Sequence, residues 1–174
     1  MIEEIILVDS HDREIGFDEK LAVHVNGRLH RAFSVFIFRN NLKQMLLQKR
    51  AATKYHSSGM WTNACCSHPR KDESLDDAVS RRLNEELGIL CSVNEMFQFH
   101  YRAEFDNKLI ENEIDHVFFA EYDGLFDINE EEIESIRWIS LDNLQTEIEQ
   151  FPERFTPWFL IAWDKIRFLL KTNV

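Results

Sequence analysis

Two short runs in this chain of 174 residues carry side chains suited to moving protons or holding a metal ion. The first is Cys66-Ser67-His68-Pro69, preceded by a second thiol at Cys65. Pro69 biases His68 toward an extended backbone. In such a segment Cys66 and His68 share a face, and Cys65 points the other way. A thiol two residues from an imidazole could exchange protons or stand beside a metal-bound histidine. A lone cysteine is also, most commonly, a small buried apolar residue, and the spacing leaves these alternatives open. The second run is Glu111-Asn112-Glu113, leading into Val117-Phe118-Phe119. On a strand both carboxylates emerge on one face. Side by side they repel each other until a proton or a cation sits between them; at an exposed strand end, water would serve instead.

A third group lies on the helix expected at residues 74–87, with Asp72 or Ser74 as N-cap and Gly88 as stop. Leu75, Ala78, Val79 and Leu83 define its apolar stripe, and Arg82 and Glu86 fall in the middle of that stripe. An Arg–Glu pair four residues apart is ordinary on a solvated face. Directed inward, the two charges need a partner, a ligand or a metal, because burying them unpaired is expensive.

These groups need a scaffold to bring them together. Residues 5–8 read as a short strand, and 31–38 and 44–48 as two strands joined around Asn40-Asn41. Residues 49–72 lack periodicity, and irregular segments of that length in a compact domain are usually functional or disordered. A Trp and two Cys argue for order. Strands follow at 96–105 and 114–122, an acidic, solvated helical turn at 130–134, and a closing helix at 157–170 whose Trp158, Ile161, Ala162, Lys165 and Leu169 form a partly apolar face. Strands mixed with a few helices imply an α/β or α+β fold, a mixed sheet between helices. Val25-Asn26-Gly27-Arg28 invites a two-residue hairpin turn. That turn would pair His24 with Leu29 and put His24 and His30 on opposite faces.

Composition narrows the partners. A net charge of −11 argues against nucleic acid or an anionic membrane as the main partner. An anionic substrate would then need locally gathered bases or metal ions. The apolar share of 44%, with 14 Phe, is enough for a core. Three cysteines make no disulfide framework. Met1-Ile2-Glu3-Glu4 lacks the basic region and apolar run of a signal peptide, and no apolar stretch is long enough to span a bilayer. A single domain over residues 1–174 in a reduced, cytoplasmic setting is expected.

The helix also carries a recognisable spacing. Five residues separate Ser67 from Glu73, and seven more precede Arg81-Arg82-Leu83-Asn84-Glu85-Glu86-Leu87-Gly88-Ile89. This resembles the Nudix box, G-x5-E-x7-R-E-U-x-E-E-x-G-U, with Ser67 for the leading Gly and Arg82 for the Glu of the R-E pair. In Nudix hydrolases those carboxylates bind divalent cations that activate water. Exchanging one for a cation weakens a hydrolytic site and strengthens one that simply holds a diphosphate. Cys66-Ser67-His68-Pro69, this degenerate box, Glu111-Asn112-Glu113, Phe155-Thr156-Pro157-Trp158 and Arg28-Leu29-His30-Arg31-Ala32-Phe33-Ser34 occur together. From Lys20 to about Trp158 the chain resembles type I isopentenyl diphosphate isomerase, a divergent Nudix-fold family; Ser67 departs from its common Cys-Gly-His-Pro form.

The resemblance implies a Nudix-like fold and the interconversion of isopentenyl and dimethylallyl diphosphate by protonation and deprotonation. It makes Cys66 and Glu113 the proton-handling pair, assisted by Tyr101, with Trp158 covering the cationic carbon. Trp61 is either a wall of the same pocket or a core residue. It implies a Mn²⁺ or Zn²⁺ site of His24, His30, His68, Glu111 and Glu113, and a Mg²⁺ held by Glu86. Lys20, Arg50, Lys54 and Arg82 would bind the diphosphate of a small-molecule substrate, in a monomer. Asp115 matches no ligand of the family and reads as structural. Two other readings are a Nudix hydrolase, with no need of Cys66, and a Nudix-fold binding module without turnover.

Overall fold

Runs of β-branched and aromatic residues dominate the first half of the chain, and they pair into one sheet. In the computed structural model residues 3–54 and 56–172 are described; Met1 and Ile2, part of the N-terminal run read above, lie outside them. Strands β1 (Glu4–Val8) and β2 (Glu14–Glu19) form an antiparallel hairpin. Helix α1 (Lys20–Asn26) follows, its first turn capped by the Glu19 carboxylate, which accepts from the Leu21 and Ala22 amides. Strands β3 (His30–Arg39) and β4 (Gln44–Arg50) are joined by a turn in which Asn40, Asn41 and Leu42 all take left-handed backbone. Short strands β5 (Trp61–Thr62) and β6 (Cys65–Ser67) punctuate the long irregular segment. Helix α2 (Leu75–Leu87) starts at Ser74, whose hydroxyl accepts from the Asp77 amide. The remaining elements are β7 (Asn94–Glu104), β8 (Ile110–Glu121), β9 (Ile133–Ser140), α3 (Leu141–Gln150), a 3-10 turn at Pro152–Arg154 and α4 (Pro157–Thr172).

Strand β3 is the centre of the sheet. It runs parallel to β8 from His30↔Glu113 to Phe38↔Glu121, and antiparallel to β1, β4 and β6. Its near-continuous apolar run is what a strand covered on both faces requires. Phe36 and Phe38 pack toward Phe159, Ala162, Trp163 and Ile166 of α4. Phe33, Val35 and Ile37 pack toward Ala78, Val79, Leu83 and Leu87 of α2. The sheet therefore lies between helices, as expected from the sequence. Because side chains alternate along a strand, the β3–β8 register sets His30 and Ser34 on the same face as Glu111, Glu113 and Asp115.

Two local expectations are corrected. Asn26-Gly27 is no hairpin turn: Asn26 ends α1, and Gly27 caps it at φ 61°, donating its amide to the Val23 carbonyl. Residues 130–134 form no helical turn closed on itself; the turn opens directly into β9. Strands β2 and β9 and helices α1 and α3 had no clear sequence signal.

Gly88 ends α2 at φ 65°, and a Cβ there would lie 2.7 Å from Asp127 Cβ and 2.9 Å from its carbonyl oxygen. Gly88→Ala should therefore lower stability by more than the roughly 1–2 kcal/mol that left-handed backbone alone costs. Urea unfolding at equilibrium measures this directly.

Candidate active site

Helix α1, strand β3, the residue after β6 and strand β8 each deliver one side chain to a common point. Ligand atoms of His24, His30, His68 and Glu113 all lie within 4.8 Å of one another, and all four residues are buried. The helical course of α1 brings His24 to the side of His30, which the expected hairpin would have prevented; their ring centroids are 4.9 Å apart. His24 Nδ1–H donates to the Lys20 carbonyl at 2.7 Å, and His30 Nδ1–H donates to the Arg28 carbonyl at 2.8 Å. These bonds fix the tautomers and leave both Nε2 atoms carrying lone pairs.

His30 Nε2 nevertheless faces Glu113 Oε1 at 3.1 Å, and His68 Nε2 faces the same oxygen at 2.9 Å. A lone-pair nitrogen is attracted to a carboxylate oxygen only if it gains a proton or shares a cation with it. Burial opposes a proton: it pushes the His68 pKa down to about 3 and lowers that of His24. Burial also opposes ionisation of Glu113, but hydrogen bonds and charge from His30 and His68, available only when Nε2 carries a proton, outweigh it and hold its carboxyl well below the usual range; with neutral rings only a shared cation can take that place. Three imidazoles and a carboxylate converging on one point are the donor set of a divalent metal, and these residues fit one. His68 Nδ1 is buried without a hydrogen-bond partner among the described residues.

Glu111, expected among the metal ligands, is not one of the four donors. Its Oε2 is 3.0 Å from the Tyr101 hydroxyl, and its Oε1 is 3.3 Å from His56 Nε2. Burial and then the charge of Glu113 push its carboxyl well above the usual range. The Tyr101 hydroxyl also reaches Glu113 Oε2, at 2.7 Å. One hydroxyl proton serves one acceptor. The Tyr101 hydroxyl can therefore donate to either glutamate, one at a time. A proton on one carboxyl or a shared cation would relieve the repulsion between the two glutamates.

A pocket adjoins this cluster, and Cys66, His68, Tyr101, Glu111, Glu113 and Trp158 line it. Cys66 lies in β6 opposite Ser34, whereas its neighbour Cys65 is sealed in the core beneath α2. The two thiols point apart as an extended backbone demands. Burial pushes the Cys66 pKa up to about 12 against the opposing pull of Arg50, so the thiol keeps its proton. Lys20, Arg50, Lys54 and Arg82 line the same pocket, with the Arg50 guanidinium 5.3 Å from the centre of the Trp158 ring. Glu86 is buried and pairs with Arg82. Trp61 does not line this pocket; it packs on the core under the Arg137 guanidinium, 4.1 Å away. Asp115 accepts from Ser34 Oγ at 2.8 Å inside the sheet, the structural position read from the sequence.

His56 was missed. It lines the pocket with a side chain only 6% exposed. It comes from an aperiodic loop, where no spacing relates it to the other groups.

The sequence matches the NUDIX domain family over residues 28–159. Over 95% of its length it is 44% identical to the isopentenyl-diphosphate Delta-isomerase 2 of Aromatoleum aromaticum, covering 87% of that protein. It is also 44% identical, again over 95% of its length, to the isopentenyl-diphosphate Delta-isomerase of Pectobacterium atrosepticum, covering 92% of that one. The chain belongs to the isopentenyl-diphosphate Delta-isomerase family. Its fold is that of the wider Nudix group: a crystal structure of a Deinococcus radiodurans protein superposes with a TM-score of 0.70 at 19% identity, covering 85% of this chain and 90% of that one. Against that background Arg82 is informative. Its guanidinium pairs with Glu86, with Glu85 at 2.9 Å and with Glu132 at 3.4 Å. An internal cation thus engages two of the helix carboxylates of the Nudix pattern.

The metal-free protein should be acid-sensitive through this cluster. Unfolded, His68 binds its proton near the usual 6.5; folded, it does so only at about 3. Between those values the unfolded state holds more protons, so stability falls as pH drops through that window. Glu113, ionised far into the acid range, acts in the same direction. Denaturant titrations of chelated protein at descending pH should show this slope, and His68→Gln should flatten it.

Proposed function

We propose that the protein interconverts isopentenyl diphosphate and dimethylallyl diphosphate, with Cys66 and Glu113 as the groups that exchange protons with substrate. Such an isomerisation adds a proton to one carbon of a flat allylic unit and removes one from another carbon. The π bond moves, no atom is lost, and the diphosphate stays attached. It needs a proton donor, a proton acceptor and shelter for a tertiary cation. The observation that carries the reading is that a protonated thiol, Cys66, and the Tyr101–Glu113 pair line one pocket together with Trp158.

In this reading one group delivers a proton while the other accepts one, and they exchange roles when the reaction reverses. Tyr101 passes the proton between its hydroxyl and Glu113 Oε2. The Trp158 π face attracts the cationic carbon, an effect that strengthens where water is excluded. Lys20, Arg50, Lys54 and Arg82 bind the diphosphate. Mn²⁺ or Zn²⁺ is the metal we assign to His24, His30, His68 and Glu113, with Glu111 adjoining. When bound it would supply positive charge that orients the Glu113 carboxylate. Mg²⁺, which favours carboxylate and phosphate oxygens, is assigned to Glu86. Hydrolysis of a nucleoside diphosphate derivative is the weaker reading, because Arg82 stands where a metal-binding carboxylate of the Nudix box would be.

Incubation with isopentenyl diphosphate and Mg²⁺ in D₂O, followed by NMR, should yield dimethylallyl diphosphate carrying deuterium; absence of both product and label would sink the isomerase reading. Cys66→Ala should lower kcat by about 100-fold or more, whereas Cys65→Ala should keep most activity. Equal losses would mean that the wrong thiol has been assigned.

A further inference from the structure

Three completely buried polar side chains, Thr62, Asn63 and Thr156, have no part in the reaction outlined above. They stand where the chain changes neighbours: β5 pairs with β4, and just beyond it β6 pairs with β3. The Asn63 amide nitrogen donates to the Cys65 carbonyl at 2.6 Å and to the Val35 carbonyl at 3.2 Å. Two carbonyls on that side fix which end of the amide is the nitrogen. Its oxygen therefore accepts, and the Thr62 hydroxyl donates to it at 2.9 Å. A hydroxyl has one proton to donate. Thr62 gives that proton to Asn63, so toward Thr156 Oγ1, also at 2.9 Å, it can only accept. The result is one directed chain, from Thr156 through Thr62 and Asn63 to the Cys65 carbonyl.

Its two ends adjoin two walls of the pocket. Cys65 precedes Cys66, and Thr156 precedes Pro157 and Trp158 at the start of α4; Cys66 and Trp158 both line the pocket. Trp158 Nε1 is buried with no hydrogen-bond partner among the described residues. No polar bond of its own orients the indole, so its place depends on packing and on how the start of α4 is held. The main chain supplies one link there, the Thr156 amide donating to the Trp61 carbonyl at 3.0 Å. That link reaches β5 and stops, whereas the side-chain route continues to β6. Valine has nearly the shape of threonine, so packing alone does not call for a hydroxyl at position 62.

We propose that Thr62 is a positioning residue for the isomerisation: its hydroxyl ties the start of α4 to β6, and so sets the Trp158 ring relative to the Cys66 thiol. The inference rests on the isomerase reading. Protonation of a carbon and cover for the cation that forms are needed at the same moment, so an error in their spacing slows the reaction. The bases assigned to the diphosphate lie outside this chain of bonds: Lys20 opens α1, Arg50 ends β4, Lys54 follows it, and Arg82 is on α2. The turnover rate should then respond to the Thr62 hydroxyl, and diphosphate affinity should not.

Thr62→Val should lower kcat about 10- to 100-fold and leave KM for isopentenyl diphosphate within about twofold. Thr62→Ser returns the hydroxyl and should recover most of that rate. In protein labelled with fluorotryptophan, the Trp158 resonance, identified by its loss in Trp158→Phe, should shift in Thr62→Val and return in Thr62→Ser. Full kcat in Thr62→Val, a KM that rises as kcat falls, a rate that serine does not restore, or an unmoved resonance would each overturn the role. Should Thr62→Val not fold, Thr156→Val breaks the same bond from the helix side and is read in the same way. If neither folds, the bonds serve stability alone and the proposal is lost. A wild-type protein that turned nothing over would defeat the isomerase reading instead, and the fluorine spectra would still decide whether Thr62 sets the indole.

Discussion

A carboxylate buried among three imidazoles sets the terms for the rest of this molecule. Glu113 is ionised at a point where burial should have neutralised it, because His30 and His68 face one of its oxygens and Tyr101 the other. Each of those neighbours comes from a different element. The parallel β3–β8 register is what sets His30 beside Glu113. The short β6 pairing to β3 brings in Cys66 and leads the chain to His68, and α1 returns over the sheet with His24. Shifting β8 by one residue against β3 would turn Glu113 to the opposite face of the sheet and dismantle the site at once. The apolar packing of α2 and α4 on the two sheet faces fixes that register, so the core and the chemistry are one problem.

The second constraint is charge. A protein of net charge −11 can bind a diphosphate only where its bases are concentrated. Four of them line the pocket, and three already have carboxylate partners: Lys20 with Glu3, Lys54 with Glu132, and Arg82 with Glu85, Glu86 and Glu132. Such pairing keeps half-buried cations charged and ordered. It also means that an entering diphosphate brings little net attraction of its own, which is a physical reason for a divalent cation to accompany it.

The large features were legible because their signals are local. The helix over 75–87 announced itself by a capping serine, an apolar stripe and a terminal glycine, and the inward Arg82–Glu86 pair followed from the same wheel. The Cys66/His68 face and its separation from Cys65 followed from strand alternation. What failed was context. Asn-Gly is a strong hairpin signal, but in Val25-Asn26-Gly27-Arg28 the asparagine closes a helix and the glycine supplies its left-handed cap. Both structures want the same residues, and only the packing of Val23 beneath the helix decides between them. Glu111 has the spacing of a second ligand, and its oxygens also lie beside the Tyr101 hydroxyl and His56 Nε2. His56 left no trace in the sequence because its partners, Phe105, Glu111 and Trp158, lie 49 to 102 residues away along the chain.

Arg82 connects these threads. In the Nudix pattern the position belongs to a carboxylate that binds a cation, and hydrolysis depends on water activated there. An arginine substitutes a fixed, organic cation for an exchangeable one. Burial opposes its charge, but Glu86 outweighs burial and raises its pKa, so it remains charged under all working conditions. It is able to hold phosphate oxygens and has no water to activate. The carboxylates that remain on α2, Glu85 and Glu86, are both paired with this arginine. In the proposed mechanism the proton chemistry lies away from that helix, on the face of the sheet where β3, β6, β7 and β8 meet. On that reading, the groups that act on protons and the groups that grip phosphate come from different elements, so a fold that hydrolyses diphosphates in other chains can handle one without breaking it.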